Sequence, residues 1–152
     1  MRLQLALNVS DLDAAVEFYS KMFDTTPAKT RPGYANFAIV DPPLKLVLFE
    51  RPDAADADGF AHLNHLGVEA ATPGEVVAAE SRLSDTGIET TGVDDTVCCF
   101  AEKTETWVTS PDGARWEWYV KTGDAEQMTN EVVEGDAAAL CCAPEPAGAD
   151  AR

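Results

Sequence analysis

Residues 96–120 read TVCCFAEKTETWVTSPDGARWEWYV, and the fold follows from how this stretch is divided. Pro111, Asp112 and Gly113 form a turn signal between two strand-like runs. The second run carries one carboxylate, Glu117, between Trp116 and Trp118. Side chains alternate faces along a strand. If both tryptophans face one layer, Glu117 faces the other, with Arg115 and Tyr119. A single acid among aromatics is either solvated or directed at a ligand. The first run opens with adjacent cysteines, Cys98 and Cys99. A regular strand would point them to opposite faces, so both could grip one ion only where the backbone is irregular.

Upstream, Leu3–Val9 reads as a strand. A helix capped by Ser10 or Asp11 runs to about Phe23, with apolar residues Leu12, Val16, Tyr19 and Phe23 at spacings of three and four. Residues 25–33 read as a loop. Strands follow at 34–40 and 44–49, around an Asp41-Pro42-Pro43 turn. After an acidic connector at 51–61, the order restarts. A strand at 63–69 precedes a helix from Thr72 to about Thr86, stopped by Gly87. Residues 88–93 link it to strands at 96–101, 104–109 and 114–120.

The chain thus repeats itself. Gln4 falls on His65 at an offset of 61, and Phe37 on Trp107 and Leu48 on Trp118 at an offset of 70. The nine-residue difference lies next to Cys98-Cys99. The repeat places polar Gln4 and His65 at equivalent positions of apolar strands, where burial without a partner is costly. His65 is either a ligand or a hydrogen-bonded core histidine. Gln4 either ligates or bonds a neighbouring strand.

Bulk properties narrow the classes. The 152 residues carry 27 acids against 11 bases, for a net charge of −16. Residues 1–121 alone hold 20 acids and 10 bases, a net −10. That balance argues against nucleic acid and anionic membrane surfaces as partners. No apolar run is long enough to span a membrane, and residues 1–13 turn polar too soon for a secretory signal, so a cytoplasmic location is expected. The four cysteines form two adjacent pairs, Cys98-Cys99 and Cys141-Cys142. Adjacent thiols suit a soft metal or metalloid better than a structural bridge. Residues 122–152 are rich in Ala, Glu, Asp, Gly and Pro, without aromatics, and are expected to form a mobile tail. The domain is expected to end near residue 121, with modules at about 1–50 and 62–121.

Two βαβββ modules resemble the vicinal oxygen chelate superfamily, which includes glyoxalase I, extradiol dioxygenases and fosfomycin-resistance proteins. The stretches FYSKMF, LNHLGVE, VCCFA and WVTSPDGARWEWY are similar to the ArsI-type carbon–arsenic lyases and the CadI-type cadmium-induced proteins. The resemblance implies an α+β fold in which the two modules form a cupped mixed sheet. It implies a divalent metal on Gln4, His65 and Glu117, with Val47 at the non-ligating fourth position. Fe(II) is the implied metal, and Zn, Ni or Co would suit the same donors. It further implies capture of a trivalent organoarsenical by Cys98 and Cys99, cleavage with dioxygen, and Cys141 and Cys142 as accessory thiols. Two other functions stay open: cadmium or arsenic binding without turnover, and glyoxalase- or fosfomycin-type thiol transfer. A homodimer is expected of such a hairpin-rich fold.

Overall fold

The computed structural model describes residues 1–52, 62–111 and 114–128; Cys141 and Cys142 lie outside the described residues. The first module comprises β1 (Arg2–Val9), α1 (Leu12–Met22), β2 (Lys29–Arg31), β3 (Tyr34–Ile39) and β4 (Leu44–Glu50). The second comprises β5 (Leu63–Glu69), α2 (Pro73–Asp85), β6 (Asp94–Cys98), β7 (Ala101–Thr109) and β8 (Arg115–Asp124). One eight-stranded mixed sheet runs in the order β2-β3-β4-β1-β5-β8-β7-β6. Antiparallel pairing of β1 with β5 joins the modules at the centre. Each module then builds outward through a parallel neighbour, β4 beside β1 and β8 beside β5. Both modules of one chain therefore complete the sheet.

The helices lie where capping and apolar spacing direct them. Asp11 accepts a hydrogen bond from the Ala14 amide, and Thr72 from the Glu75 amide, each satisfying an amide that helix geometry leaves open. α1 sets Leu12, Val16, Tyr19 and Phe23 on the outward side chains of its module's sheet, including Leu5, Phe37, Leu46 and Leu48. α2 buries Val76, Ala79 and Leu83. With the helices on that face, the alternate residues of β1 and β4 turn to the other face. Gln4 and Ala6 are buried there, as are Val47 and Phe49.

Four details depart from the sequence reading. The last strand, expected at 114–120, continues to Asp124, past the expected domain end near residue 121. The loop at 25–33 contains β2, whose three residues are too few to show a period. The strand expected at 96–101 ends at Cys98. Cys99 (φ 54°) and Phe100 (φ 60°) form a two-residue turn, closed by pairing of Cys98 with Ala101. Positive φ at both central residues matches the right-handed strand twist, but asparagine or glycine normally supplies it. Finally, the register sets Val47 beside Asn36 and Glu117 beside Trp107. Trp107 is thus the counterpart of Asn36, not Phe37. A slip of one residue exchanges the faces of a strand.

Candidate functional site

The concave face of the sheet encloses a cavity of about 220 Å³. Gln4 on β1, His65 on β5 and Glu117 on β8 meet within it, buried at 5%, 3% and 1% exposure. Gln4 Nε2 lies 2.9 Å from His65 Nε2 and donates to Glu117 Oε2 at 3.0 Å. His65 Nε2 is 3.5 Å from the same carboxylate oxygen. The register explains the convergence. Gln4 opposes Gly67 on β5, and Gly67 in turn lies beside Glu117 on β8. A Cβ at Gly67 would stand 3.2 Å from the Glu117 carbonyl and 3.3 Å from Gln4 Cβ. The missing side chain leaves the room that Gln4 occupies.

The neighbouring side chains fix this trio. Asn64 Oδ1 lies 2.8 Å from His65 Nδ1, and accepting its proton leaves Nε2 turned to the cavity as an acceptor. The Tyr119 hydroxyl donates to Gln4 Oε1 at 2.7 Å and accepts from Lys45 Nζ at 2.8 Å. Trp107 meets the His65 ring edge-to-face at 5.1 Å between centroids. Lys103 Nζ bonds Glu117 Oε1 and lies 2.9 Å from Glu105 Oε2. Glu105 Oε1 accepts from the Trp107 indole at 3.1 Å.

Charges in this buried cluster are interlocked. Burial alone would raise the Glu117 carboxyl, but the positive charge of Lys103 and the contacts with His65 and Glu105 together outweigh it and hold the group well below the usual carboxylate range. Burial likewise works against the Lys103 ammonium, and the carboxylates of Glu117 and Glu105 overcome it, raising its pKa. Glu105 ends on the losing side: burial pushes it up to about 7 despite Lys103. The Tyr119 phenol is pushed up by burial and then by the charges of Glu117 and Glu69, so it remains a donor. Desolvation lowers Lys45 to about 8, against the pull of Glu69.

Among the described residues, no three His, Cys, Asp or Glu side chains converge, so a third protein ligand beside His65 and Glu117 would be the Gln4 amide. The donors suit a divalent ion. Two of their separations, 2.9 and 3.0 Å, match the about 3 Å between ligands at right angles around an ion with bonds of about 2.1 Å, and the third, 3.5 Å, is a little wider. A half-turn of the amide presents Gln4 Oε1 to the ion and Nε2 to the Tyr119 oxygen. Val47 provides no fourth ligand. Its register beside Ala6 matches that of Glu117 beside Gly67. An imidazole, a carboxylate and an amide oxygen leave further positions open for substrate.

The cysteines sit at the tip of the β6–β7 hairpin. Cys98 is fully buried against Trp107, and Cys99 lines the cavity. The turn removes the alternation that would have separated them. Their sulfurs are 3.5 Å apart, beyond the about 2.05 Å of a bond between the two, and neither thiol is free in this structure, so metalloid capture by this pair requires reduction first. Residues 125–128 hold the turn from outside: the amides of Cys99 and Phe100 donate to the carbonyls of Met128 and Gln127, both at 2.9 Å. Cys99 and Phe100 also pack against Tyr34, Val47 and Phe49 across the module boundary. A bulky residue at positive φ is held only where its surroundings over-determine it.

Sequence reasoning placed Tyr119 on the face of Glu117 without giving it a role, and passed over Lys103, Glu105 and Lys45. Lys103, Glu105 and Trp107 share period two with the cavity face, which was the available signal.

Residues 3–118 match the family described as the Glyoxalase/Bleomycin resistance protein/Dioxygenase superfamily, and the chain belongs to it. Among individual relatives, it is 49% identical over 147 residues to the trivalent organoarsenical cleaving enzyme of Thermomonospora curvata, covering 97% of this chain and 91% of that one. It is 48% identical over 146 residues to the cadmium-induced protein CadI of Mycobacterium tuberculosis, covering 93% and 92%. Among solved structures, methylmalonyl-CoA epimerase from Streptomyces coelicolor shares the fold, with a TM-score of 0.53 at 18% identity, over 79% of this chain and 96% of that one. No helix among the described residues is long and apolar enough to cross a membrane.

Proposed function

We propose that this protein cleaves the carbon–arsenic bond of trivalent organoarsenicals, such as methylarsonite and aromatic arsenicals, to give arsenite. The observation that carries the reading is that Cys99 lines the same cavity as Gln4, His65 and Glu117. The named activity of the 49% identical relative supports it.

Gln4, His65 and Glu117 would hold Fe(II), which supplies a Lewis-acidic, redox-active centre for use with dioxygen. The protein's own part is chiefly positioning. Sulfur is the ligand type for a soft metalloid, and two sulfurs this close can, once reduced, both bind one arsenic. Arsenic held at the hairpin tip keeps the C–As bond inside the cavity, over the trio. Lys103 helps keep Glu117 ionised, and Tyr119 holds the outer end of the Gln4 amide. Phe49, Tyr34 and Val47 form an apolar wall for the organic group.

The test is arsenic speciation after Fe(II)-loaded protein meets methylarsonite and a small thiol in air. Arsenite from wild type, and none from Glu117→Ala or Cys98→Ser, is the expected result. Methylarsonite retained without cleavage would sink the reading. It would favour a second one, sequestration without turnover, which the 48% identity to a cadmium-induced protein supports. That reading predicts stoichiometric Cd²⁺ binding, weakened in Cys98→Ser.

A further inference from the structure

The chain is strongly acidic, yet its cavity is not. Of its eleven lysines and arginines, Arg2, Lys29, Lys45, Lys103 and Lys121 line the cavity, against Glu69 and Glu117 of its 27 acids. Most of these cations have partners. Arg2 pairs with Glu69 Oε2, Lys103 with Glu117 and Glu105, and Lys29 and Lys121 both reach Asp124 Oδ1 at 2.6 and 2.8 Å.

Lys45 differs. Its side chain is 15% exposed. The nearest carboxylate oxygen, Glu69 Oε1, is 3.9 Å away, beyond hydrogen-bond range, and that carboxylate is bonded through its other oxygen to Arg2. The ammonium bonds the Tyr119 hydroxyl and lies 4.8 Å from the centre of that ring. An ammonium has three donors, and a neutral phenol oxygen brings it no negative charge. A desolvated cation without a bonded anion is costly. A second Lys, Lys103, lies over the same Tyr119 ring at 5.4 Å and deepens the positive field.

We propose that Lys45 anchors an anionic group, a carboxylate or phenolate, on the organic substituent of the arsenical. The inference rests on the arsenical reading above and names the substrate class within it. The spacing fits. Lys45 and Val47 stand on one face of β4, two residues and so about 6.7 Å apart. Val47 packs against the cluster that includes Cys99. An aryl group with arsenic at the cysteines lies along the Val47 wall and brings a distal acidic substituent to Lys45. The volume of about 220 Å³ exceeds the about 150 Å³ that admits a benzene ring. An arsenical with a methyl group leaves the Lys45 end unfilled.

The experiment compares dissociation constants of phenylarsenous acid and 4-carboxyphenylarsenous acid for the reduced full-length protein, without turnover. Thiol capture is common to both, so their ratio reports the substituent. Wild type should bind the carboxylate at least about tenfold more tightly, as a charge-assisted bond predicts. Raised salt should shrink the ratio. Lys45→Met should bring it close to one, and Lys45→Arg should retain most of it. Equal binding by wild type overturns the proposal, with no variant needed. A preference that survives in Lys45→Met overturns it too. A preference of this kind, with neither compound cleaved in the separate arsenic speciation assay on Fe(II)-loaded protein, leaves the anion site standing and defeats the lyase reading instead.

Discussion

Lys103 is bonded to one oxygen of Glu117, so only the other, Oε2, is turned to Gln4 and His65. A ligating carboxylate held this way is monodentate and stays ionised. Removing the ammonium removes both constraints and strands a buried charge. Lys103→Met should cost about 3–5 kcal/mol of stability, as when one partner of a buried pair is lost. Urea denaturation of the metal-free protein measures this. A loss under 1 kcal/mol would mean that Glu117 is neutralised in another way.

Glu105 shares Lys103 with a stronger competitor, and burial raises it to about 7 from the ordinary 4.5 of a glutamate. The sign follows from proton binding. The folded state binds this proton more tightly than the unfolded state. The group therefore stabilises fully below about pH 4.5, and the contribution is lost as pH rises through about 7. The span corresponds to at most about 3 kcal/mol. Denaturation of the metal-free protein between pH 5 and 8 should show stability falling with pH from this group. Glu105→Gln should flatten that part of the profile. An unchanged profile in the variant would assign the slope elsewhere.

The repeat made the fold legible. Matching Gln4 to His65 and Val47 to Glu117 reproduces the register of β1 with β4 and β5 with β8, because the pattern there is long and apolar. The edges were harder. β2 is three residues long, and the Cys99-Phe100 turn lacks the glycine or asparagine that announces such turns. Its conformation comes from long-range bonds to residues 127 and 128, which no local rule registers. The trio Gln4, His65 and Glu117 was visible through the resemblance. Lys103 and Lys45 were not, because a lysine in a strand usually reads as solvent-facing, and only the closed cup buries these two.

Gly67 tests whether the trio depends on close backbone packing. A methyl group there would stand 3.2 Å from a backbone carbonyl, which cannot swing aside, and 3.3–3.4 Å from the Gln4 side chain. Gly67→Ala should displace Gln4 and cost about 1–3 kcal/mol as an overpacking change. Co²⁺ titration should weaken in parallel, whereas Gly74→Ala, beside exposed Thr72 Oγ1 at 3.9 Å, should leave metal binding unaltered. Equal Co²⁺ affinity in both variants would separate Gln4 from the metal set.

Tyr119 gives the sharpest test of how Gln4 is oriented. Its hydroxyl is the only group that both touches the Gln4 amide and accepts from Lys45 among the contacts of the described residues. Tyr119→Phe keeps the ring against Lys45 and Lys103 and deletes only the oxygen. Gln4 then loses the partner that holds the outer end of its amide, which after the half-turn would be Nε2 donating to the Tyr119 oxygen. Loss of such an outer partner typically costs 10–100-fold in metal affinity. Co²⁺ affinity should therefore fall by about that factor in Tyr119→Phe, and further in Glu117→Ala. Stability should fall by about 1–3 kcal/mol, because Lys45 is left buried without its oxygen. Should Tyr119→Phe bind Co²⁺ like wild type while Gln4→Ala does not, Gln4 ligates without help from Tyr119. Should Gln4→Ala also bind like wild type, the metal is held by His65 and Glu117 without the amide.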